Sequence, residues 1–213
     1  MRIYFLIAIC LPLLAFSNKR EISLFDGKTL TGWTDRQGGE PSDGWVVEDG
    51  CILRKSKASN LYTKEAFKDF EFSCEWKIAA GTNSGIKYRV ADYSGEILGP
   101  EYQIIDDAKL KYAPAHLGAT ASIYAIKGAS ADKKLKAPGT FNVSRILAKG
   151  SKIEHWLNGE KVAEIEIGSV DWKKRHAKSK FKSRPEFGTK SGRIMLQEHG
   201  GQVRFRKLKI RKL

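Results

Sequence analysis

Residues 83–107, which read NSGIKYRVADYSGEILGPEYQIIDD, decide the fold of this chain. The stretch contains two runs in which polar and apolar residues alternate, separated by a turn rich in glycine and serine. A period of two predicts β-strands that each have one apolar and one polar face. We therefore predict two neighbouring strands, joined by a short turn, at the centre of the chain.

The polar faces of these two strands carry ionisable side chains. The second strand presents Glu101 beside Gln103, and the first presents Lys87 and Arg89. A carboxylate and cations on neighbouring strands could line a groove for a hydrophilic ligand. The same pattern also suits a solvated outer sheet face with ordinary cross-strand charge pairs. These residues alone leave both interpretations open.

Strand patterns of the same kind recur along the chain. Residues 45–53 form two apolar runs around Asp49-Gly50, a dipeptide typical of a hairpin turn. Residues 69–78 contain FEFSCEWKI, in which strict alternation predicts a half-buried antiparallel strand. Further strands are predicted near residue 22 and in residues 61–66, 141–148, 151–157, 161–167, 192–198 and 202–210.

One helix interrupts this pattern late in the chain. Ser169 is suited to cap a short surface helix that begins at Val170 and leads into a basic loop. Because no helix lies between successive strands, a parallel α/β fold is excluded. We predict an all-β, antiparallel sandwich. A concave outer sheet face in such a fold is a natural trough for extended polar ligands.

Composition predicts one domain and no nucleic-acid partner. The chain has 213 residues, of which 41% are hydrophobic, which is enough for one sizeable core. Its formal net charge is +14, but the lysines and arginines are scattered and match no nucleic-acid motif. We therefore expect a solvated basic surface.

The first 17 residues have the pattern of a signal peptide. Arg2 is followed by an apolar run over residues 3–14 and by Ala15-Phe16-Ser17, a small-x-small cleavage signal. We expect export to the periplasm or the medium, a mature domain over residues 22–213, and no membrane insertion after removal of the signal, since no other run is as long. A lipoprotein anchor at Cys10 is less favoured because the preceding residue, Ile9, is bulky.

The two other cysteines predict neither a zinc site nor a thiol nucleophile. Cys51 and Cys74 lie on separate predicted strands, and an oxidising compartment would permit a bridge between them. Cys74 shares the apolar face of its strand, which favours a buried thiol. No C-x-x-C spacing or Cys/His cluster of the metal-binding type is present.

Five blocks of sequence occur in an order found in a known bacterial family. They are residues 24–33 (LFDGKTLTGW), residues 83–86 (NSGI) with Tyr88-Arg89, residues 101–104 (EYQI) with Asp106-Asp107, residues 155–159 (HWLNG), and residues 192–194 (GRI) with residues 196–200 (LQEHG). Together they resemble the 3-keto-disaccharide hydrolase domain family over residues 22–213. The resemblance implies a concanavalin-A-like jelly-roll sandwich of the lectin/glucanase type, export in bacteria, and activity on glycosides that carry a ketone at carbon 3.

Two positions depart from the family pattern. Lys87 stands where an apolar residue is usual, and Met195 stands where a small residue is common. Both departures bear on substrate preference more than on fold.

The motifs disfavour a conventional glucanase. Ordinary glycoside hydrolysis needs two carboxylates that flank the bond, and sandwich glucanases carry an E-x-D-x-x-E strand motif that this chain lacks. A 3-keto sugar offers another route, because the ketone acidifies the hydrogen on carbon 2. One base and one polarising group are then sufficient.

We assign the base to Glu101, the carboxylate in the block richest in polar strand positions. Arg89 and His199 are predicted to stabilise the enolate oxygen, as an oxyanion hole does. Predicted substrate-binding residues are Asn83, Gln103, Tyr124, Trp156 and Gln197.

Several of these residues also have a structural interpretation. Trp156 could stack on a sugar ring or fill the core. Tyr124 could protonate the leaving group or be a buried, hydrogen-bonded tyrosine. Asp106 and Asp107 could bind a divalent cation or shape a turn. No nucleotide or redox cofactor is expected.

Two classes of function remain open at this point. The first is a hydrolase of 3-keto-glycosides, and the second is a noncatalytic carbohydrate-binding module that uses the same groove. A conventional glycosidase is a weaker third possibility.

Overall fold

The computed structural model describes residues 21–213, which fold as two antiparallel β-sheets. The strands are β1 (Glu21–Ser23), β2 (Trp33–Thr34), β3 (Trp45–Glu48), β4 (Cys51–Arg54), β5 (Leu61–Phe67), β6 (Phe70–Ile78), β7 (Asn83–Tyr93), β8 (Glu96–Leu98), β9 (Glu101–Ile105), β10 (Asn142–Lys149), β11 (Lys152–Leu157), β12 (Glu160–Glu166), β13 (Gly192–Leu196) and β14 (Val203–Lys212). The predicted signal peptide lies outside the described residues.

The larger sheet has eight strands in the order β12-β11-β10-β6-β14-β4-β3, with β1 paired to β14. The smaller sheet has six strands in the order β2-β5-β13-β7-β8, with β9 also paired to β7. The non-consecutive neighbours show that the chain crosses repeatedly between the sheets. The predicted all-β antiparallel sandwich is confirmed.

Strict alternation in the sequence becomes strict alternation in burial. Along β6 every second residue is buried, and its apolar members belong to the single large core between the sheets. Tyr88 and Tyr102 project into this core from the smaller sheet and meet His155 of the larger sheet, with ring centroids 5.7 and 4.7 Å apart. The core therefore joins the two strands that bear the polar residues of the central stretch.

The helix begins at the cap that the sequence predicts, and the two cysteines are buried. Helix α1 (Val170–Lys178) begins after Ser169, whose hydroxyl accepts a hydrogen bond from the Trp172 amide at 3.1 Å, as predicted. Cys51 and Cys74 are both buried and unbridged. Burial raises the pKa of both thiols, which leaves them inert. Within the described part of the chain, no helix is long and apolar enough to span a membrane.

Arg89 is buried, contrary to the prediction that it stabilises an enolate. Its backbone is in the left-handed region (φ 50°), and the register of β13 against β7 shifts between Arg193 and Met195. Regular alternation from Lys87 would place Arg89 on the outer face of the sheet. The irregularity interrupts this alternation, so that Val90 packs on the outer face and Arg89 turns inward.

The guanidinium of Arg89 is fully occupied by structural contacts. It donates to the carbonyl oxygens of Lys68 at 2.7 Å, Gly188 at 2.8 Å and Gly150 at 3.0 Å, and to the Asp69 carboxylate at 3.2 Å. Its side chain is 0% exposed and cannot reach a ligand. Arg89 therefore ties three loops together and takes no part in a surface site.

Removal of this guanidinium should destabilise the fold. We expect Arg89→Met to lower the free energy of unfolding by roughly 3–5 kcal/mol, because it leaves three carbonyls without their donor and removes the ion pair of Asp69, which still accepts from the Gly150 amide. Urea unfolding measures this loss. Arg211→Met, which removes an exposed ion pair with Glu71, should cost about 1 kcal/mol or less. Equal stability of Arg89→Met and the unmodified protein would contradict the structural role.

His155 should make the stability of the fold depend on pH. Its Nδ1 donates to the Ala121 carbonyl and its Nε2 accepts from the Tyr88 hydroxyl, so the ring is buried in its neutral form. Burial lowers the pKa of His155 from 6.5 to about 4. The unfolded chain therefore binds the proton first, and stability is full above pH 6.5 and falls as the pH drops toward 4.

The measurement is urea unfolding at several pH values between 7.5 and 4. His155→Gln should lose the part of the pH dependence that lies between 6.5 and 4, whereas His116→Gln, at an exposed position, should keep it. Identical slopes for the protein and His155→Gln would show that this ring does not control acid stability.

Candidate active site

The outer face of the smaller sheet presents polar residues in rows that run across three strands. Lys87 of β7 pairs with Met195 of β13 on one side and with Glu101 of β9 on the other. Because residues directly opposite each other on neighbouring strands project from the same face, these three side chains form one row. The two departures from the family pattern, Lys87 and Met195, are thus neighbours in one row with the predicted base.

The next row has a glycine at its centre. Gln103 pairs with Gly85, and the backbone N–H of Gln197 donates to the Gly85 carbonyl at 2.9 Å. A side chain at position 85 would place its Cβ only 2.5 Å from Oε1 of Glu101. The missing side chain therefore provides the space in which the Glu101 carboxylate lies, with Gln103 and Gln197 on either side.

Glu101 is held in an environment that disfavours its charge. The residue is 5% exposed, and this burial raises the pKa of its carboxyl. Lys87 partly opposes the shift from 3.6 Å, where its Nζ faces Oε2 of Glu101. The other charges that act most strongly on this pKa come from Lys180 and His199, which also lower it. A lone carboxylate thus lies among basic groups.

A chain of hydrogen bonds leads from Gln103 to His199. The side-chain Nε2 of Gln103 donates to Oδ1 of Asn83 at 2.8 Å. The side-chain Nδ2 of Asn83 lies 3.1 Å from Nδ1 of His199. The Asn83 amide can only donate, so Nδ1 is the acceptor and neutral His199 carries its proton on Nε2. The chain therefore fixes the ring and leaves one N–H donor for a ligand.

Tyr124 extends the first row beyond the edge of β9. Its amide donates to the Glu101 carbonyl at 3.0 Å, and Tyr102 and Ile123 form an isolated antiparallel bridge beside it. Since Ile123 packs in the core, the half-buried Tyr124 side chain lies on the outer face. Nζ of Lys180 lies 4.4 Å above its ring.

The structure thus brings together six of the eight predicted site residues. They are Glu101, Asn83, Gln103, Tyr124, Gln197 and His199. Arg89 is excluded by its burial, as described above.

Trp156 is also misplaced in the sequence-based prediction. It belongs to β11 in the larger sheet, where its Nε1 donates to Glu154 at 2.9 Å. The Arg145 guanidinium stacks on its ring at 3.7 Å. The neighbouring His155 projects into the core, so the indole lies on the outer face of the opposite sheet and cannot contact a sugar beside Glu101.

The two aspartates after β9 shape a turn. Asp106 accepts hydrogen bonds from the Gly81 and Lys109 amides at 2.8 and 3.1 Å. Asp107 accepts from the Thr120 amide at 2.8 Å and pairs with Lys133 at 3.0 Å. These contacts favour the turn interpretation, and residues 21–213 contain no group of three or more His, Cys, Asp or Glu side chains arranged to hold a metal ion.

Sequence reasoning missed two components of the site. Gly85 is part of the NSGI block, but its role depends on the glutamate that leans over it from the next strand. Lys180 lies in a basic run that follows the helix, and a run of charges gives no indication of which member reaches a site. Both roles arise from contacts between segments that are distant in sequence.

Comparison with known proteins finds relatives that cover most of this chain. The chain is 28% identical over 230 residues to the 3-keto-disaccharide hydrolase of Bacteroides thetaiotaomicron, with 90% of this chain and 78% of that protein covered. It is 35% identical to a proposed glycosyl hydrolase from Parabacteroides distasonis ATCC 8503 of known structure, with a TM-score of 0.79 and coverage of 91% of this chain and 94% of the other.

A more distant likeness supports the fold alone. The β-glucanase of Bacillus licheniformis shares 10% identity and a TM-score of 0.52, with 90% of this chain and 96% of that chain covered. This places the sandwich among jelly rolls of the glucanase type.

Residues 20–211 match the model of one family over nearly the whole described chain. The protein therefore belongs to the family of 3-keto-alpha-glucoside-1,2-lyase-like domains.

Proposed function

We propose that this protein hydrolyses 3-keto-glycosides and that Glu101 removes the proton from carbon 2 of the sugar. The observation that carries the proposal is a single buried carboxylate, with a raised pKa, among basic and hydrogen-bonding groups on one sheet face. The family and the named relatives support glycoside hydrolysis in general.

A raised pKa suits Glu101 to this task. A general base works best when its pKa approaches the operating pH, because it is then both deprotonated and strongly basic. Burial moves the pKa of Glu101 in this direction, while Lys87 limits the shift and keeps the carboxylate available. Burial alone would favour the protonated form, which could not accept the proton from carbon 2.

The proposed reaction has two stages. Glu101 takes the proton from carbon 2, and the electron pair of that C–H bond passes to the carbon-3 oxygen as an enolate. The enolate then collapses to restore the ketone, the C1–C2 double bond forms, and the C1–O bond breaks, so that the leaving group departs with its electron pair and gains a proton. Water then adds its hydroxyl to carbon 1 and a proton to carbon 2. The sum is hydrolysis.

The residues around Glu101 provide groups for the other steps. Nε2–H of His199 and the Lys87 ammonium can stabilise the enolate oxygen, in place of the buried Arg89. Tyr124 can supply the proton to the leaving group from its position beside Glu101. Asn83, Gln103 and Gln197 can bind sugar hydroxyls, since each amide both donates and accepts.

This arrangement disfavours conventional glycoside hydrolysis. That mechanism pairs a carboxylate nucleophile or base with a carboxylic acid across the bond. The charges that act most strongly on Glu101 are instead basic groups. Deprotonation beside a ketone needs one carboxylate and a stabilised oxyanion, which is the chemistry that these residues offer.

Glu101→Gln should abolish activity and stabilise the protein at neutral pH. We expect kcat to fall by roughly 10²–10⁴ on a 3-keto-disaccharide, because the amide cannot accept the proton. Since the folded protein has a raised pKa at this site, burial of the charged form costs stability at pH 7. The melting temperature of Glu101→Gln should therefore be higher than that of the unmodified protein at pH 7.

Two controls accompany this measurement. The stabilisation should vanish below pH 4.5, where Glu101 is protonated in both folded and unfolded protein. In the unmodified enzyme, kcat/KM should fall on the acid side with a midpoint above 4.5. Release of the leaving group by Glu101→Gln at an unchanged rate would remove Glu101 as the base. Saturable sugar binding without release by the unmodified protein would indicate a binding module.

Gly85→Ala should reduce activity through displacement of the carboxylate. The new Cβ would lie 2.5 Å from Oε1 of Glu101, so that side chain must move. We expect kcat to fall by roughly 10-fold or more, since displacement of a reacting group by about 1 Å can cost about 10². Gly39→Ala is the matched control, because its Cβ would approach the Asp35 carboxylate, remote from Glu101 in the chain, at 3.1 Å. Equal activity of both variants would contradict the role of Gly85.

A further inference from the structure

Lys180 is a cation at the site without an anionic partner. Its ammonium lies 4.4 Å from the Tyr124 ring centroid and 5.2 Å from that of Phe181. Within residues 21–213 it forms no ion pair with a carboxylate, whereas Lys87 is paired with Glu101. The aromatic faces hold the ammonium in place but leave its hydrogen-bond donors free.

The position of Lys180 relative to the proposed base is defined by Tyr124. The Tyr124 amide is hydrogen-bonded to the Glu101 carbonyl at 3.0 Å, so the ring under Lys180 belongs to the row that contains Glu101. Lys87 lies at the other side of Glu101 in the same row. Two ammonium groups therefore flank one carboxylate, and one positive charge remains unmatched.

The helix and the loop that lead to and follow Lys180 carry further positive charge without an ion pair. Four exposed lysines of the helix and the following loop also lack an ion pair with any carboxylate in the described part of the chain. They are Lys173, Lys174, Lys178 and Lys182. Surface charges of one sign attract ligands of the opposite sign and orient them before contact. An anionic ligand would be drawn to this end of the row, where a neutral sugar would gain nothing from the charge.

We propose that Lys180 selects substrates whose leaving group carries an anionic substituent, the carboxylate of a uronic acid or a sulfate ester. This inference rests on the proposed function. Tyr124 is the group suited to protonate the leaving group, so that part of the substrate lies over Tyr124. The ammonium over the same ring is then placed to donate a charge-assisted hydrogen bond to an anionic group on the leaving group.

The assignment separates Lys180 from the groups that act on the enolate. Lys87 lies on β7, and His199 follows the end of β13. Both are on the far side of Glu101 from Tyr124. Lys180 is thus a specificity-determining residue. Its removal should change the ratio of kcat/KM between anionic and neutral leaving groups.

The test compares kcat/KM on three 3-keto-disaccharides with the same oxidised sugar and a neutral, a uronic acid or a sulfated leaving sugar. We expect roughly tenfold preference for an anionic leaving group, as one charge-assisted hydrogen bond would provide. Lys180→Met should equalise kcat/KM on the anionic and neutral substrates, and Lys180→Arg should retain the preference. The two anionic substrates distinguish a carboxylate from a sulfate. Lys173→Met, an exposed lysine without an ion pair, is the matched control and should keep the preference.

Two results would overturn the inference. One is an equal preference in the protein and in Lys180→Met. The other is an equal loss of kcat on neutral and anionic substrates, which would make Lys180 part of the enolate-stabilising machinery.

Failure of the proposed reaction can be recognised separately. If the unmodified protein releases no leaving group from any substrate, calorimetric titration with glucuronic acid and with glucose measures whether the protein binds an anionic sugar more tightly than a neutral one. Tighter binding of glucuronic acid that is lost in Lys180→Met would support the anion subsite on its own. Equal binding of the two sugars would reject it.

Discussion

The site depends on one physical constraint, which is the burial of the Glu101 carboxylate on the outer face of the smaller sheet. Loss of water disfavours the charge, and the protein compensates only in part through Lys87 at 3.6 Å. Gly85 makes the arrangement possible because it has no side chain in the space that the carboxylate occupies. The result is a carboxylate that is more basic than usual but still able to ionise.

The same strands that bear the site also hold the core together. In β7 and β9, Lys87 and Glu101 face outward, while Tyr88 and Tyr102 face inward and pack against His155 of the other sheet. Because neighbouring residues of a strand share one rigid backbone, the packing of these rings positions the polar side chains on the other face. Precise geometry at the site is thus supported by a buried aromatic cluster.

Alternation along a strand is reliable only while the backbone remains regular. Glu101 and Gln103 share one outward face, as predicted, because β9 keeps a period of two, and Asn83 at the start of β7 lies beside them. Arg89 occupies the same pattern, but its left-handed backbone and the shift in register send the guanidinium into the interior. A sequence pattern contains no sign of such an irregularity, since most residue types can occupy a bulge.

Sequence alone determined the class of fold, the identity and approximate bounds of most strands, the capped helix and the polar stretch that bears the proposed base, because each depends on local periodicity or turn chemistry. The family resemblance, carried by five short blocks, was likewise contained in the sequence. Only the tertiary structure decided that Gly85 makes room for Glu101, that Lys180 lies over Tyr124, and that Trp156 belongs to the opposite sheet. These relations join segments far apart in the chain, and they are set by strand order and register, which local patterns do not encode.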